Sequence, residues 1–166
     1  MRARSDLTRR QNGAAPAQGD IIEIAGRVLN LQGEPVPRAT LTIWQANAFG
    51  RYAHANDQNS APLDPNFNGC TRLRSDERGA YALRTIKPGS YPAADGWTRP
   101  PHIHFEIEGQ FERLVTQMYF PGEALNALDR ALMSSPRPDL LIVRPHSSPQ
   151  PSSCLASNFD IVLVRG

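Results

Sequence analysis

Arg99, Pro100, Pro101, His102, Ile103 and His104 run consecutively and set two imidazoles two residues apart. In a strand, residues i and i+2 share a face while neighbours point oppositely. His102 and His104 therefore project together, and Ile103, Phe105 and Ile107 take the other face, toward a core. Two imidazoles so placed suit a transition metal such as Fe, Cu, Ni or Zn. Two solvated surface histidines would share that spacing, so the chemistry depends on finding further donors. The chain has no HExxH, no cysteine cluster, no Gly-x-Ser-x-Gly and no glycine-rich phosphate loop. Two long loops are the remaining sources, and each holds a tyrosine beside turn residues: Tyr52 after Gly50, and Tyr91 between Gly89 and Pro92. Each tyrosine would serve equally as a loop aromatic packed on the end of a sheet. Asp57, Asp64 and Asp95 lie in the same loops and would allow a His/His/carboxylate site instead.

Strands must position these residues. Ile22, Ile24 and Val28 alternate with polar or small neighbours, as do Leu41 and Ile43. Residues 70–75 and 80–86 flank Asp76 to Gly79, which reads as a hairpin, and residues 102–108 and 113–120 form another pair around Gly109. Leu140–Val143 and Phe159–Val164 read as closing strands. Leu125, Leu128 and Leu132 fall at helical spacing, so Glu123–Met133 is expected to be a helix with a packing stripe. Residues 48–69, 87–101 and 145–158 are long loops rich in Pro, Gly, Asn or Ser, and loops of such length inside a compact domain are commonly functional. The 15 prolines and 12 glycines disfavour a helical bundle. The expectation is an all-β protein: an antiparallel β-sandwich of about eight short strands, with long active-site loops and one short helix.

The 166 residues fit one domain. Residues 1–20 read as a flexible polar tail and 21–166 as the sandwich. A net charge of +2 is weak ground for a nucleic-acid partner. No apolar run approaches the roughly 20 residues needed to span a bilayer, and the tail lacks a secretory h-region. Cys70 and Cys154 could form one disulfide at most, and two reduced thiols in a cytoplasmic protein is the expectation.

Several segments carry a likeness that no single motif would. Trp44–Asn47, Gly50–Tyr52, Ala61–Phe67, Thr85–Gly89, Tyr91 with Pro92, His102–His104, Val115–Phe120 and Phe159–Leu163 resemble the intradiol ring-cleavage dioxygenases. Within that family the likeness is greatest to the iron-bearing β chains of the protocatechuate 3,4-dioxygenase branch. It runs in one order from about Gly26 to Val164, most of the chain.

The resemblance implies a non-haem Fe(III) held by Tyr52, Tyr91, His102 and His104, with water or hydroxide as fifth ligand. It makes Tyr52 and His104 equatorial, and Tyr91 and His102 axial. Ionising a phenol of pKa about 10 at pH 7 costs about 4 kcal/mol, which coordination to a trivalent cation can offset. Hard phenolate oxygen favours Fe(III) over Fe(II). The implied reaction uses a catechol and dioxygen and opens the ring between the two hydroxylated carbons to a cis,cis-muconate, most simply protocatechuate to 3-carboxy-cis,cis-muconate. Tyr91 is the implied leaving ligand and base, Arg99 the arginine against the substrate ring, and Gln117 a glutamine of the dioxygen pocket. Otherwise Arg99 is a surface loop arginine and Gln117 a half-buried polar strand residue.

Two departures bear on specificity. The resembling β chains carry a longer N-terminal segment than residues 1–20 here, and part of it lines their site. Ala93 stands where a tryptophan is usual, so the pocket is expected to be wider or filled by Trp97. The family implies either a homo-oligomer or assembly with an iron-free α-type chain that completes the pocket. Two other readings compete: a sandwich binding module with incidental histidines, which would be colourless, and a divalent-metal enzyme using the histidines and a loop carboxylate.

Overall fold

A computed structural model describes residues 3–10, 15–93, 96–147 and 154–166. Its strands are β1 (Ala3–Asp6), β2 (Ile21–Asn30), β3 (Thr40–Trp44), β4 (Cys70–Arg74), β5 (Ala80–Ile86), β6 (Tyr91–Pro92), β7 (Thr98–Arg99), β8 (His102–Glu108), β9 (Arg113–Tyr119), β10 (His146–Ser147), β11 (Leu155–Asn158) and β12 (Ile161–Leu163). One sheet runs β1-β5-β2-β11-β10, with β12 also on β2, and a second runs β4-β3-β8-β9. The alternation noted above puts Ile24, Val28, Tyr81 and Leu83 of the first sheet, and Leu41, Ile43, Ile103, Phe105 and Ile107 of the second, into one buried core. Tyr81 meets Phe105 edge-on across it, with ring centroids 6.2 Å apart. The fold is all-β, two packed sheets as expected.

The first sheet departs from a purely antiparallel sandwich, because β1 runs parallel to β5, and β11 and β12 run parallel to β2. β1 also departs from the reading of residues 1–20 as a flexible tail, over residues 3–8; residues 1–2 and 11–14 of that reading lie outside the described residues. Leu7 is 1% exposed, its N–H donates to the Arg84 carbonyl, and its own carbonyl accepts from Asn68. The β5 edge, Leu7 and Ala17 in the core, and the Ser5 hydroxyl on that of Thr71 dock this polar segment.

Asp76–Gly79 forms its turn, with the Asp76 carboxylate accepting from the N–H groups of Arg78 and Ala80. It does not make a hairpin, because β4 pairs with β3 while β5 pairs with β2, so the turn carries the chain from one sheet to the other. The expected helix over 123–133 is broken into a 3-10 turn (Ala124–Leu128) and α1 (Arg130–Met133), separated by the extended backbone of Asp129. Leu128 of its stripe is 67% exposed. Of Leu140–Val143, expected as a strand, Leu140 and Leu141 instead end α2 (Pro138–Leu141), where Pro138 takes a first-turn position that needs no N–H, and Ile142 makes only an isolated parallel bridge to Tyr119. A four-residue apolar run cannot by its periodicity tell strand from helix. No described helix is long and apolar enough to cross a membrane.

Candidate metal centre

β8 carries the two histidines, paired along its whole length with β9 and from His104 onward with β3. Trp44 of β3 is the register partner of His104, and Tyr119 of β9 is that of His102. Each ring packs on its cross-strand neighbour. Trp44 stacks on His104 at 4.8 Å with the planes 3° apart, and Tyr119 stacks on His102 at 5.5 Å. The Nε2 atoms of the two histidines lie 3.1 Å apart, and the Nδ1 of His102 lies 2.7 Å from the Pro100 carbonyl. That carbonyl can only accept, so the proton of neutral His102 sits on Nδ1 and its Nε2 lone pair faces the site.

The tyrosines arrive on loops. Tyr91 lies in the two-residue ribbon β6-β7, opposite Arg99, and its hydroxyl is 3.3 Å from Nε2 of His102. Tyr52 meets the Tyr91 ring edge-on at 5.2 Å and lies 6.4 Å from the His104 ring. Its segment is fixed by polar side chains bonded to the backbone. Asn47 Oδ1 accepts from Phe49 and Arg51 N–H, and Asp57 Oδ2 accepts from Tyr52 N–H at 2.8 Å. The Arg51 guanidinium donates to the carbonyls of Asp57, Asn59 and Ala61. The two loops touch at Gly50, whose φ is +79° and where a Cβ would fall 2.0 Å from the Ser90 carbonyl oxygen.

Burial, reinforced by the Arg99 charge, pulls His102 down to about 4. Burial and the neighbouring charges of His102 and Arg99 pull His104 down to about 3. Both shifts favour the uncharged imidazole, the form that binds a metal. Burial pushes the Tyr52 phenol well above its ordinary value, and nearby Tyr91 raises it further without reaching hydrogen-bond geometry. Its hydroxyl is buried without a partner among the described residues, which ordinarily costs about 1–3 kcal/mol. Two imidazole Nε2 atoms and two phenol oxygens therefore converge, one of those oxygens unsatisfied. This donor set fits a hard, highly charged cation such as ferric iron.

The carboxylates are occupied elsewhere. Asp57 caps the N–H groups of Tyr52 and Asn59, and Asp64 those of Gln18 and Asn66. Among the described residues, no cluster of three or more His, Cys, Asp or Glu could hold a metal. Asp95 lies outside the described residues.

Arg99 is 7% exposed. Its Nη1 lies 3.5 Å from the Tyr91 oxygen and its Nη2 2.7 Å from Oε1 of Gln117, so Arg99 borders the tyrosine and Gln117 is joined to it through Arg99. Trp97 lies against Arg99, 5.1 Å from ring centroid to guanidinium carbon, which makes it a wall beside the arginine. Sequence reasoning gave no role to Trp44, Tyr119 or Asp129. The first two emerge only from strand register, and the third had as its signal an Asp placed to cap a short helix.

The sequence profile of a family described as Dioxygenase matches residues 2–165. The chain is 45% identical to the protocatechuate 3,4-dioxygenase β chain of Burkholderia cepacia, covering 95% of this chain and 70% of that one. It is 33% identical to the protocatechuate 3,4-dioxygenase α chain of Pseudomonas putida, covering 65% of this chain and 53% of that one. Among solved structures, 3-chlorocatechol 1,2-dioxygenase of Rhodococcus opacus 1CP superposes with a TM-score of 0.76 at 27% identity, covering 96% of this chain and 64% of that one. The chain thus spans less than two thirds of the last two. With the profile matched over nearly its whole length, the chain belongs to the family of intradiol ring-cleavage dioxygenases.

Proposed function

We propose that this chain holds Fe(III) through Tyr52, Tyr91, His102 and His104 and opens a catechol ring between its two hydroxylated carbons. Protocatechuate is the proposed substrate and 3-carboxy-cis,cis-muconate the product, in line with the names of the relatives at 45% and 33% identity. The observation that carries this reading is the buried, unpartnered Tyr52 oxygen near the two histidine Nε2 atoms, which lie 3.1 Å apart, and the Tyr91 oxygen.

When bound, ferric iron supplies the Lewis acidity that ionises phenols and catechols and readies the ring for dioxygen. The protein's own residues do the rest. His104, clamped by Trp44, and His102, clamped by Tyr119 and Pro100, hold their nitrogens still. Tyr52 is the phenol that stays. Tyr91 is the phenol that leaves and takes a catechol proton on its oxygen. Arg99 presents Nη1 at 3.5 Å from that oxygen, where negative charge passes from tyrosinate to substrate. Gln117 accepts from Arg99 Nη2 at 2.7 Å. An α-type partner chain is proposed to complete the assembly, because relatives named as both α and β chains match. The free thiols Cys70 and Cys154 fit the cytoplasm, where we place it.

Iron content and colour test the reading. Purified protein should carry iron and be red to brown from tyrosinate charge transfer, and anaerobic protocatechuate should shift the band. Tyr91→Phe should keep some iron yet bind substrate slowly in stopped-flow, while Tyr52→Phe should lose iron or turnover. A colourless protein without iron, or equal binding rates with an unchanged spectrum in Tyr91→Phe, overturns the assignment.

A further inference from the structure

The five N–H groups of Arg99 are shared unevenly. Nε donates to Asp129 Oδ2 at 2.9 Å, and Nη2 is surrounded by Gln117 Oε1 at 2.7 Å, the Tyr119 hydroxyl at 2.9 Å and Asp129 Oδ1 at 3.2 Å. Among the described residues, Nη1 meets only the Tyr91 oxygen, at 3.5 Å. One edge of the guanidinium is therefore anchored, and the other is offered to the site. The anchor is itself held firmly. Asp129 is 0% exposed, and its Oδ1 also accepts from the Tyr119 hydroxyl at 3.0 Å and from the Leu132 N–H at 2.8 Å. Tyr119 in turn donates to Gln117 or Asp129 while its ring stacks on His102. Burial would favour a neutral Asp129, but the Arg99 hydrogen bond, the Leu132 N–H and the Arg99 charge outweigh it and hold the carboxyl below its ordinary value.

We propose that Asp129, assisted by Tyr119, is a positioning residue for ring cleavage: it fixes the plane of Arg99 so that Nη1 faces the Tyr91 oxygen and the substrate that exchanges with it. The inference rests on the role of Arg99 given above. A carboxylate that grips Nε and Nη2 together leaves the guanidinium one orientation, because rotation about its last bonds breaks both contacts. It also cancels the charge of Arg99, so the interior bears no net cation, yet the Nη1 hydrogens stay free to meet developing negative charge. Asp129 touches no reacting atom and acts through Arg99 alone.

A double-mutant cycle tests this, with kcat, KM for protocatechuate, iron content and visible spectrum measured for Asp129→Asn, Arg99→Ala and the pair. Asp129→Asn should keep its iron and resting colour, hold KM, and lose kcat by roughly tenfold to a hundredfold, the loss expected for a charge group misplaced by about an ångström. In the Arg99→Ala background, the same substitution should cost nothing more. Equal losses in both backgrounds would make Asp129 merely structural and overturn the proposal. Tyr119→Phe, which keeps the ring on His102 and the carboxylate on α1, should show a smaller loss that also vanishes with Arg99→Ala, and it decides the matter if Asp129→Asn does not fold. A second readout needs no iron: the Nε–H resonance of Arg99 in the metal-free protein, identified by its absence in Arg99→Ala, should be slowly exchanging and should move in Asp129→Asn. An unmoved resonance overturns the positioning contact. Wild-type protein that binds no iron or leaves catechols uncut overturns the functional reading instead, and the resonance then decides the contact alone.

Discussion

The histidine half of the site and the Tyr52 half are built by opposite means. His102 and His104 sit on a strand with neighbours on both sides, and its opposite face, Ile103, Phe105 and Ile107, is 0% exposed. Their direction follows from the backbone ladder and the core. Tyr52 sits in a segment without regular structure, where Asn47, Asp57, Asn59 and Arg51 bond main-chain groups one by one. The ladder does not depend on the exposed side chains that flank it, such as that of Arg113. The loop depends on individual polar groups and on two glycines at which the loops cross, Gly50 and Gly89, where a Cβ would fall 2.0 Å from the Ser90 and 2.5 Å from the Ala48 carbonyl oxygen. Damage should therefore be far more costly on the loop side.

Gly50→Ala is expected to have the largest effect. The new Cβ would fall 2.0 Å from the Ser90 carbonyl oxygen and 3.2 Å from the Tyr91 Cβ, at a φ of +79°. Strain of this kind costs about 3 kcal/mol where the surroundings hold. Here the two loops would part instead, taking Tyr52 and Tyr91 from the histidines. We expect iron affinity to fall by roughly a hundredfold, with charge-transfer colour lost and the β-sheet circular dichroism retained. Normal colour in this variant would show that the crossing does not place the tyrosines.

Asp57→Ala should do less. It removes the acceptor for the N–H groups of Tyr52 and Asn59, at 2.8 Å each, and leaves the glycine crossing intact. Losing hydrogen bonds to a charged, partly buried carboxylate costs about 2 kcal/mol. A lower melting temperature and roughly tenfold weaker iron retention against a chelator are expected. If retention is unchanged, the glycine crossing alone holds Tyr52.

The same division explains what the sequence made legible. The shared direction of His102 and His104 and the core face of Ile103 and Phe105 follow from a period of two, and both are found. The two-sheet architecture follows from repeated short alternations. Which strands pair is not local information: 76–79 has the residues of a hairpin turn, yet its strands go to different sheets. The tyrosines were only two loop aromatics among several until the family resemblance singled them out, because loop positions carry no period. Asp129 and Tyr119 stayed hidden for a related reason. Their roles depend on reaching Arg99 across 30 and 20 residues of sequence.

Arg113→Ala should have the smallest effect, and it probes the tolerant half directly. Arg113 grips Glu106 on the face of β8 that carries the histidines, with Nε and Nη2 2.9 and 2.7 Å from the two carboxylate oxygens. The arginine side chain is 64% exposed, and exposed ion pairs contribute little because water screens them and two long side chains must be immobilised. The backbone ladder from Arg113 to Tyr119 remains without the guanidinium, and so do Trp44 and Tyr119 against the imidazoles. Iron content, colour and kcat should therefore match the wild type. If Arg113→Ala instead released iron as readily as Asp57→Ala, the strand would need its surface side chains to aim the histidines. The contrast between a self-supporting half and a hand-tied half would then be gone.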